Sequence, residues 1–392
     1  MTSTRRDFSV IFKVAERCNI NCSYCYVFNG NDDSFKLHPA TIADLTIENT
    51  AEFLSKGCLD CEIPYLSIVF FGGEPLLIGK QRFDRMCAVL RQALQPVTNL
   101  DLRITTNAML VDDDWIDLFE KHQVKVGSSL DGPKEYHDEK RVDFRGQGTY
   151  DRTVRGIQRL KEAGDVGRIS PLGVLCVVDS NRSAARIYNH IVHDLGIKRL
   201  DFLLPDFTYD DFDPADALGY GKFLCDAFDT WTADGDSSVE VRILGSALSL
   251  LLGGESRIDV LGTDLVEAIT IHSDGSVGPD DKLRSGGPQM MDTGITVFDG
   301  TLQQFLTSRT VGELEIARTN RSDECLNCCW FNVCGGGALI NRYREGQGFK
   351  NPSVLCEGLK VFFAHVANYL LENGLPPAHL LETLSRETVS TR

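Results

Sequence analysis

The sequence predicts an α/β fold built on a parallel sheet, followed by a cysteine-rich C-terminal region of different character. Three observations predict it. Six short apolar runs alternate with five helical patterns over roughly the first half of the chain, and strands separated by helices of that length pair in parallel through right-handed crossovers. Residues that end or begin helices stand between the patterns: Gly164 and Gly196 where a left-handed residue closes a helix, and Asp112 where a side chain can cap one. A loop with three cysteines directly follows the first apolar run, at the carboxyl end of a strand, where ligands of parallel α/β folds gather.

Taken in order, the predicted strands are Phe8–Val14, Leu66–Phe71, Leu102–Thr106, Val124–Ser129, Gly173–Val178 and Leu200–Leu204. The helical patterns between them are Ile42–Lys56, Gln81–Leu94, Trp115–His122, Tyr150–Ala163 and Ala184–Leu195. After the sixth strand comes Pro205–Asp216, with five aspartates in its last eleven residues, read as a solvated loop. Two further helices follow, Leu218–Thr230 and the apolar Ile243–Leu252, with Cys225 expected in the core. Cys87 and Cys176 are expected to pack as small hydrophobes, and Cys58-Leu-Asp-Cys61 is a lone pair on a helix-to-strand connection.

Composition narrows the function. The chain has 392 residues, 42% hydrophobic and 24% charged, the balance of an ordinary globular protein. No apolar run reaches the roughly 20 residues that span a bilayer, so no membrane is expected, and the basic start runs straight into a strand pattern without a cleavage site. A net charge of -16 argues against nucleic acid, whose binding rests on Lys and Arg, and suits a polypeptide partner with basic residues. Thirteen grouped cysteines suit a reducing, cytoplasmic setting better than a disulfide framework.

The grouping is informative. Cys18-Asn-Ile-Asn-Cys22-Ser-Tyr-Cys25 places three thiols at gaps of three and two residues on one short loop. Converging thiolates of that kind suit an iron–sulfur cluster; three ligands leave one iron of a four-iron cluster open to a small molecule, as an open zinc position binds water. The loop resembles the CxxxCxxC signature of the radical S-adenosylmethionine (SAM) enzymes, with Tyr24 as its aromatic. The resemblance implies a partial (β/α)6 TIM barrel. It implies a 4Fe–4S cluster on Cys18, Cys22 and Cys25 that chelates SAM, whose reductive cleavage gives a hydrogen-abstracting 5′-deoxyadenosyl radical. It also implies a SAM pocket: Gly72, Gly73, Glu74 and Pro75 after strand two for the amino group, Asn107 after strand three, Ser129 and Asp131 after strand four for the ribose, Arg141 for the carboxylate with Arg145 as competitor, and Val178 against adenine.

The C-terminal set is Cys325, Cys328, Cys334 and Cys356, enough thiolates for one further 4Fe–4S cluster, with zinc the alternative by ligand count. This region resembles the SPASM/twitch-like extension of peptide-modifying radical SAM enzymes, and the four correspond to its distal auxiliary cluster; Cys329 is a spare. The pattern departs from that family at two places. Ala338 stands where a further cysteine is usual, and Asp280 occupies the cysteine position of a Pro-Cys-Asp run. No cysteine lies between Cys225 and Cys325. The proximal auxiliary cluster is therefore expected to be lost, leaving two clusters. By the same resemblance Asp281, or Asp280 beside it, is the candidate base. The implied organisation is a barrel over 1–215, a helical linker over 216–262, a SPASM-like domain over 263–360 and a C-terminal helix and tail over 361–392.

The stretches Val10–Cys22 and Tyr26–Asn29 resemble enzymes that build three-residue cyclophanes in ribosomally made peptides, joining an aromatic ring to a side-chain β-carbon. Formylglycine formation as in sulfatase maturases, thioether formation, epimerisation and a non-catalytic peptide-binding scaffold are the alternatives. The implied partners are a precursor peptide with leader and core and an electron donor such as flavodoxin or ferredoxin. Seven residues precede the first predicted strand, so leader binding is expected at the barrel mouth, in the C-terminal region or on a separate partner.

Overall fold

The computed structural model describes residues 7–256, 258–263 and 267–385. Along the chain the strands are β1 (Asp7–Ala15), β2 (Asn21–Cys22), β3 (Tyr65–Gly72), β4 (Asn99–Thr106), β5 (Lys125–Ser129), β6 (Arg141–Val142), β7 (Gly173–Val177), β8 (Arg199–Leu203), β9 (Glu240–Val241), β10 (Glu267–Ile271), β11 (Ser276–Gly278) and β12 (Ile295–Thr296). The six predicted strands are β1, β3, β4, β5, β7 and β8, with ends displaced by three residues or fewer. The chain forms two compact units: Met1–Leu130, Lys134–Val174 and Glu267–Leu314 in the first, Asp131–Pro133, Leu175–Val266 and Glu315–Arg392 in the second. The boundary at Leu314/Glu315 falls inside the block 263–360 that reads as one domain in the sequence.

The first unit is organised on parallel pairing of β1 with β3, β3 with β4 and β4 with β5. β1 is apolar and almost completely buried at Phe8, Val10, Phe12 and Val14, as expected of a strand covered on both sides. Helices Asp44–Asp60, Lys80–Leu94, Asp113–Lys121 and Tyr150–Asp165 form the crossovers. Their apolar faces meet the sheet through an aromatic cluster: Phe83 lies edge-on to Phe70 at 5.4 Å, to Trp115 at 5.2 Å and to Phe119 at 5.9 Å. Asp112 caps its helix as predicted, accepting the Trp115 N–H at 3.1 Å.

Gly164 behaves otherwise than expected. The helix runs through it to Asp165 because Leu160 and Ala163 keep the apolar face buried to the last turn, and the left-handed glycine is Gly167, at φ 78°. Gly196, at φ 69°, does take the left-handed conformation. The predicted helix Ala184–Leu195 is α-helical over Ala184–Asn189 and continues as a wider π turn over His190–Asp194.

A strand from far along the chain completes this sheet. β10 pairs in parallel with the free side of β1, Phe12 opposite Ile271, and β11 and β12 add antiparallel beyond it. This register brings the carboxyl ends of β1 and β10 together, so that residues 13–18 and 272–284 share one end of the sheet.

In the second unit, β8 pairs in parallel with β9, and helices Ala217–Asp234 and Cys356–Glu372 pack at backbone contact. A Cβ on Gly221 would meet the Gly358 carbonyl oxygen at 2.3 Å, and one on Gly358 would meet the Ala217 oxygen at 2.1 Å, so both positions require glycine. The aspartate-rich loop is exposed over most of 210–216, and its acids bind backbone: Asp211 accepts from Thr208 N–H, Asp213 from Ala215 N–H, and Asp210 from the distant Glu345 N–H. Among the described residues no helix is long and apolar enough to cross a membrane.

Candidate active site

The three-cysteine loop leaves β1 and is held on two sides. On one, the glycine turn after β3 packs against its first residues: Gly73 N–H donates to the Ala15 oxygen at 2.7 Å and Glu74 N–H to the Arg17 oxygen at 3.0 Å. A Cβ on Gly73 would lie 2.2 Å from the Arg17 oxygen and 2.7 Å from the Cys18 nitrogen, which is why this turn carries glycine. On the other side β2 pairs antiparallel with β6, Cys22 opposite Arg141. That two-residue ladder explains how an arginine so distant in sequence reaches the loop. Arg141 is 7% exposed and donates to the Tyr24 hydroxyl at 2.6 Å. Arg145 is exposed, with its own N–H bound to Asp143, so of the two arginines the structure brings Arg141 to the loop.

Cys18, Cys22 and Cys25 form no disulfide. Burial pushes the Cys18 thiol up to about 12, and charge on Glu74, Cys22 and Cys25 pushes it in the same direction. Thiolates gathered on one loop repel one another, and Cys22 and Cys25 act on Cys18 in that sense. A cationic metal centre that takes them deprotonated relieves the repulsion, so the donor set fits an iron–sulfur cluster.

Glu74 is fully buried and completely engaged. Oε1 accepts from Leu76 N–H at 3.0 Å and the Thr106 hydroxyl at 2.7 Å, and Oε2 accepts from Asn107 N–H at 2.8 Å. Burial raises its pKa, and those three bonds work against the rise. Asn107 in turn donates to the Asn19 side chain at 2.7 Å. The carboxylate thus ties the Gly-Gly-Glu-Pro turn, the end of β4 and the cysteine loop into one piece. Ser129 ends β5, half-buried. Asp131 and Val178 belong to the second unit; Asp131 accepts the Val177 N–H at 3.2 Å, and Val178 is buried and donates its N–H to the Leu203 oxygen at 2.9 Å.

The two neighbouring aspartates separate cleanly. Asp280 caps the short turn Asp281–Gly286, accepting from Lys282 N–H at 3.1 Å. Asp281 is fully buried, and its Oδ2 accepts from Lys13 Nζ at 2.6 Å and from the Tyr26 hydroxyl at 2.7 Å. Its Oδ1 lies 3.2 Å from Arg284 Nε without hydrogen-bond geometry. Burial works against its charge, but Lys13 and Arg284 outweigh burial and hold the carboxyl below its ordinary value. Arg284 also faces Asp32 at 3.5 Å, and burial of its guanidinium is outweighed by Asp281 and Asp32, which raise its pKa.

Beside this pair lies Glu16, also fully buried, whose Oε1 meets His272 Nδ1 at 2.9 Å and His38 Nδ1 at 3.2 Å. Burial would raise the Glu16 pKa; its hydrogen bonds to His272 and His38 carry it well below the usual carboxylate range. Burial likewise disfavours charge on His38, but Glu16 outweighs it and raises the imidazole pKa. Lys13, Tyr26, Asp32, Arg284, Glu16, His38 and His272 were not anticipated as site residues. Lys13 gave the one local signal, a lysine between Phe12 and Val14 in an otherwise apolar strand.

In the second unit, Cys325, Cys328, Cys334 and Cys356 line one cavity with Trp330, Phe331, Leu359 and Phe363. Burial pushes Cys334 up to about 12 and Cys356 up to about 11, with charge on the neighbouring thiols contributing to each. The same reasoning fits these four to a cluster with all its ligands from protein. Cys356 opens the helix that packs through Gly358, and Gly335, at φ 63°, turns the chain directly after Cys334. Cys329 is exposed and outside that lining, and Ala338 is buried.

Comparison with known proteins agrees with this geometry. Residues 12–175 match the radical SAM superfamily. The cysteine-type anaerobic sulfatase-maturating enzyme of Clostridium perfringens (strain 13 / Type A) is 28% identical over 376 residues, covering 91% of this chain and 95% of that protein. The serine-type anaerobic sulfatase-maturating enzyme of Bacteroides thetaiotaomicron is 23% identical, covering 96% and 95%. Among solved structures, native anSMEcpe with bound AdoMet and Kp18Cys peptide superposes with a TM-score of 0.79 at 23% identity, covering 94% of this chain and 99% of that one. Residues 12–175 are thus a radical SAM domain, and the fold is the radical SAM α/β fold with a C-terminal extension.

Proposed function

We propose that this radical SAM enzyme modifies a ribosomally made precursor peptide by joining an aromatic ring to a side-chain β-carbon, closing a three-residue cyclophane. Asp281 carries the reading: a fully buried carboxylate kept ionised by Lys13 and Arg284, with Oδ1 outside any hydrogen bond, in the unit that holds the three-cysteine loop. Cross-linking removes two hydrogens from the peptide, one as an atom from the β-carbon and one as a proton and an electron from the ring. The proton needs a base within hydrogen-bond reach. A ring regaining aromaticity releases it readily, so a carboxylate of low basicity suffices.

Cys18, Cys22 and Cys25 would hold the SAM-binding 4Fe–4S cluster, and Cys325, Cys328, Cys334 and Cys356 one auxiliary 4Fe–4S cluster. When bound, these clusters and SAM supply a hydrogen-abstracting radical and a one-electron acceptor. Tyr24, the Gly72–Pro75 turn, Asn107, Ser129 and Arg141, all of the first unit, would form the SAM pocket. Arg141 would take the carboxylate in a bidentate contact, and Glu74 would act by shaping the turn, since both of its oxygens are engaged. A flavodoxin or ferredoxin would deliver the first electron. The absence of thiols at Asp280 and Ala338 favours this chemistry over formylglycine and thioether formation, as the resemblance ties those to a proximal cluster. Epimerisation would need a hydrogen donor such as a cysteine, and none lies in the run from Asp226 to Glu324.

Formylglycine formation is the second reading, favoured by the anaerobic sulfatase-maturating enzymes among the relatives. The test is anaerobic co-expression with a small peptide encoded beside the gene and carrying an aromatic residue two positions from its partner. A product lighter by two hydrogens, with the linked residues inseparable in tandem mass spectra and no reaction with hydrazine, supports the cyclophane. A hydrazine-reactive aldehyde, or a product of unchanged mass in ordinary water that gains one deuterium in deuterated water, overturns it.

A further inference from the structure

Glu16, His38 and His272 come from three separate segments: the end of β1, the loop before the helix Asp44–Asp60, and the end of β10. One donor atom from each lies within 4.8 Å of the others. The Glu16 oxygen is 2.9 Å from one imidazole nitrogen and 3.2 Å from the other. Ligands about 2.1 Å from a tetrahedral metal stand about 3.4 Å from each other, so the two Glu16–imidazole separations are a few tenths of an ångström short of coordination edges. The two rings lie 4.6 Å apart, tilted at 47° to each other and not stacked flat.

Two independent features point to a cation here. Glu16 is 0% exposed, and its second oxygen, Oε2, is buried without a hydrogen-bond partner, an unfavourable condition for a charged group unless something answers it. Charge is also unbalanced. With both imidazoles counted as neutral, the buried carboxylates Glu16, Asp32 and Asp281 and the exposed Asp274, 3.7 Å from His38 Nε2, outnumber the buried cations Lys13 and Arg284 by two among the described residues. A divalent ion between neutral imidazoles closes that deficit of two.

We infer that Glu16, His38 and His272 bind a divalent transition-metal ion of the zinc class, outside either iron–sulfur cluster. Imidazole nitrogen with carboxylate oxygen is a donor set that zinc and ferrous iron both accept. Asp274, with its carboxylate 3.7 Å from His38 Nε2, stands on the far side of that ring, where such sites place a carboxylate, though beyond hydrogen-bond range here. His38, 12% exposed at its side chain, marks the solvent side through which the ion enters and where its fourth position lies. The ion would fasten the loop of His38 and the turn after β10 to the end of β1. Backbone and hydroxyl bonds already begin that joint: Glu16 N–H donates to the Ala40 oxygen at 3.0 Å and Ser273 to the Pro39 oxygen at 2.7 Å.

The test uses the anaerobically purified holoenzyme, equilibrated with zinc(II), dialysed against metal-free buffer, and analysed for zinc and iron by mass spectrometry. One zinc per chain should remain, and X-ray absorption at the zinc edge should show nitrogen and oxygen neighbours without sulfur. His272→Ala and His38→Gln should each lower retained zinc at least tenfold while iron per chain stays unchanged. His38→Gln keeps an amide donor for Glu16 and so guards against misfolding. No retained zinc, zinc unaffected by both substitutions, or sulfur in the zinc shell overturns the site and leaves a hydrogen-bonded Glu–His pair only.

Discussion

The strongest demand on the site is that Asp281 should matter for two separable reasons, charge balance and proton removal. Asp281→Asn keeps the shape of the side chain but strands Lys13, fully buried at 2.6 Å, and Arg284 at 3.2 Å. Removing one partner of a buried ion pair costs about 3–5 kcal/mol, because the other charge remains out of water. Against a total stability of about 5–15 kcal/mol this is a large fraction, and the midpoint of anaerobic urea unfolding should fall markedly. Lys13→Met should cost a similar amount by the same argument. The double variant removes both charges, replaces a lysine stem with an apolar one of similar length, and should recover at least half of the summed loss; the shortfall from additivity measures the pair.

Product formation should behave differently. Loss of a general base slows a reaction by about 10²–10⁴-fold, so Asp281→Asn should still release 5′-deoxyadenosine from SAM while making peptide product at that reduced rate. Lys13→Met leaves the base in place and makes it more basic, so folded molecules should keep forming product. The double variant, restored in stability, should remain as slow as Asp281→Asn alone. Recovery of product in the double variant would refute the assignment, because it would show that Asp281 serves only to neutralise Lys13.

Other outcomes follow from single contacts. Gly73→Ala drives a methyl into the Arg17 oxygen and Cys18 nitrogen, so iron per chain, about eight for two intact four-iron clusters, should fall to about four with SAM binding lost. Cys334→Ser should also reduce iron to about four, yet leave SAM binding intact, as read by equilibrium dialysis. Arg141→Lys keeps the charge but not the planar fork and should weaken SAM binding about tenfold, the worth of one charge-assisted hydrogen bond. Burial holds His137 neutral, its pKa lowered from 6.5 to about 2. The unfolded chain therefore binds a proton that the native state refuses, and stability falls as pH drops below 6.5. At pH 5 the loss is about 2 kcal/mol, which His137→Gln should abolish in urea titrations at pH 7 and 5.

How far the sequence reached follows from which interactions are local. The apolar alternation of β1, the cap at Asp112 and the spacing of Cys18, Cys22 and Cys25 depend on neighbours a few residues away and are legible as written. The four distal cysteines are legible as a set because their number and gaps constrain the chemistry, although their sharing one cavity depends on the chain returning at Cys356 to residues 325–334, which no local pattern announces. Asp280 and Asp281 are indistinguishable by spacing; they separate only because the first turns outward to cap Lys282 and the second meets a lysine 268 residues away. The pairing of β10 with β1 was invisible for the same reason. Glu267–Ile271 is five residues of ordinary strand pattern, and nothing in it names its partner. Glu16, His38 and His272 stayed hidden with it, being a cluster only once that register exists.

That register raises a question of cause. β1 is buried at Phe8, Val10, Phe12 and Val14, and its other face carries Ile11 and Lys13, so apolar contact alone discriminates weakly among the ways β10 could lie beside it. A slip of one residue turns every side chain of the incoming strand to the opposite face. Here it would separate His272 from Glu16 and withdraw Asp281 from Lys13, and each buried polar group so stranded costs about 1–3 kcal/mol, more where it is charged. A well-packed apolar core would be at least as stable as the buried charges that replace it. What the charges contribute is selection: they make one alignment of β1 and β10 far better than its neighbours. That alignment sets the carboxylate of Asp281 in the same unit, and at the same end of the sheet, as the loop of three thiols.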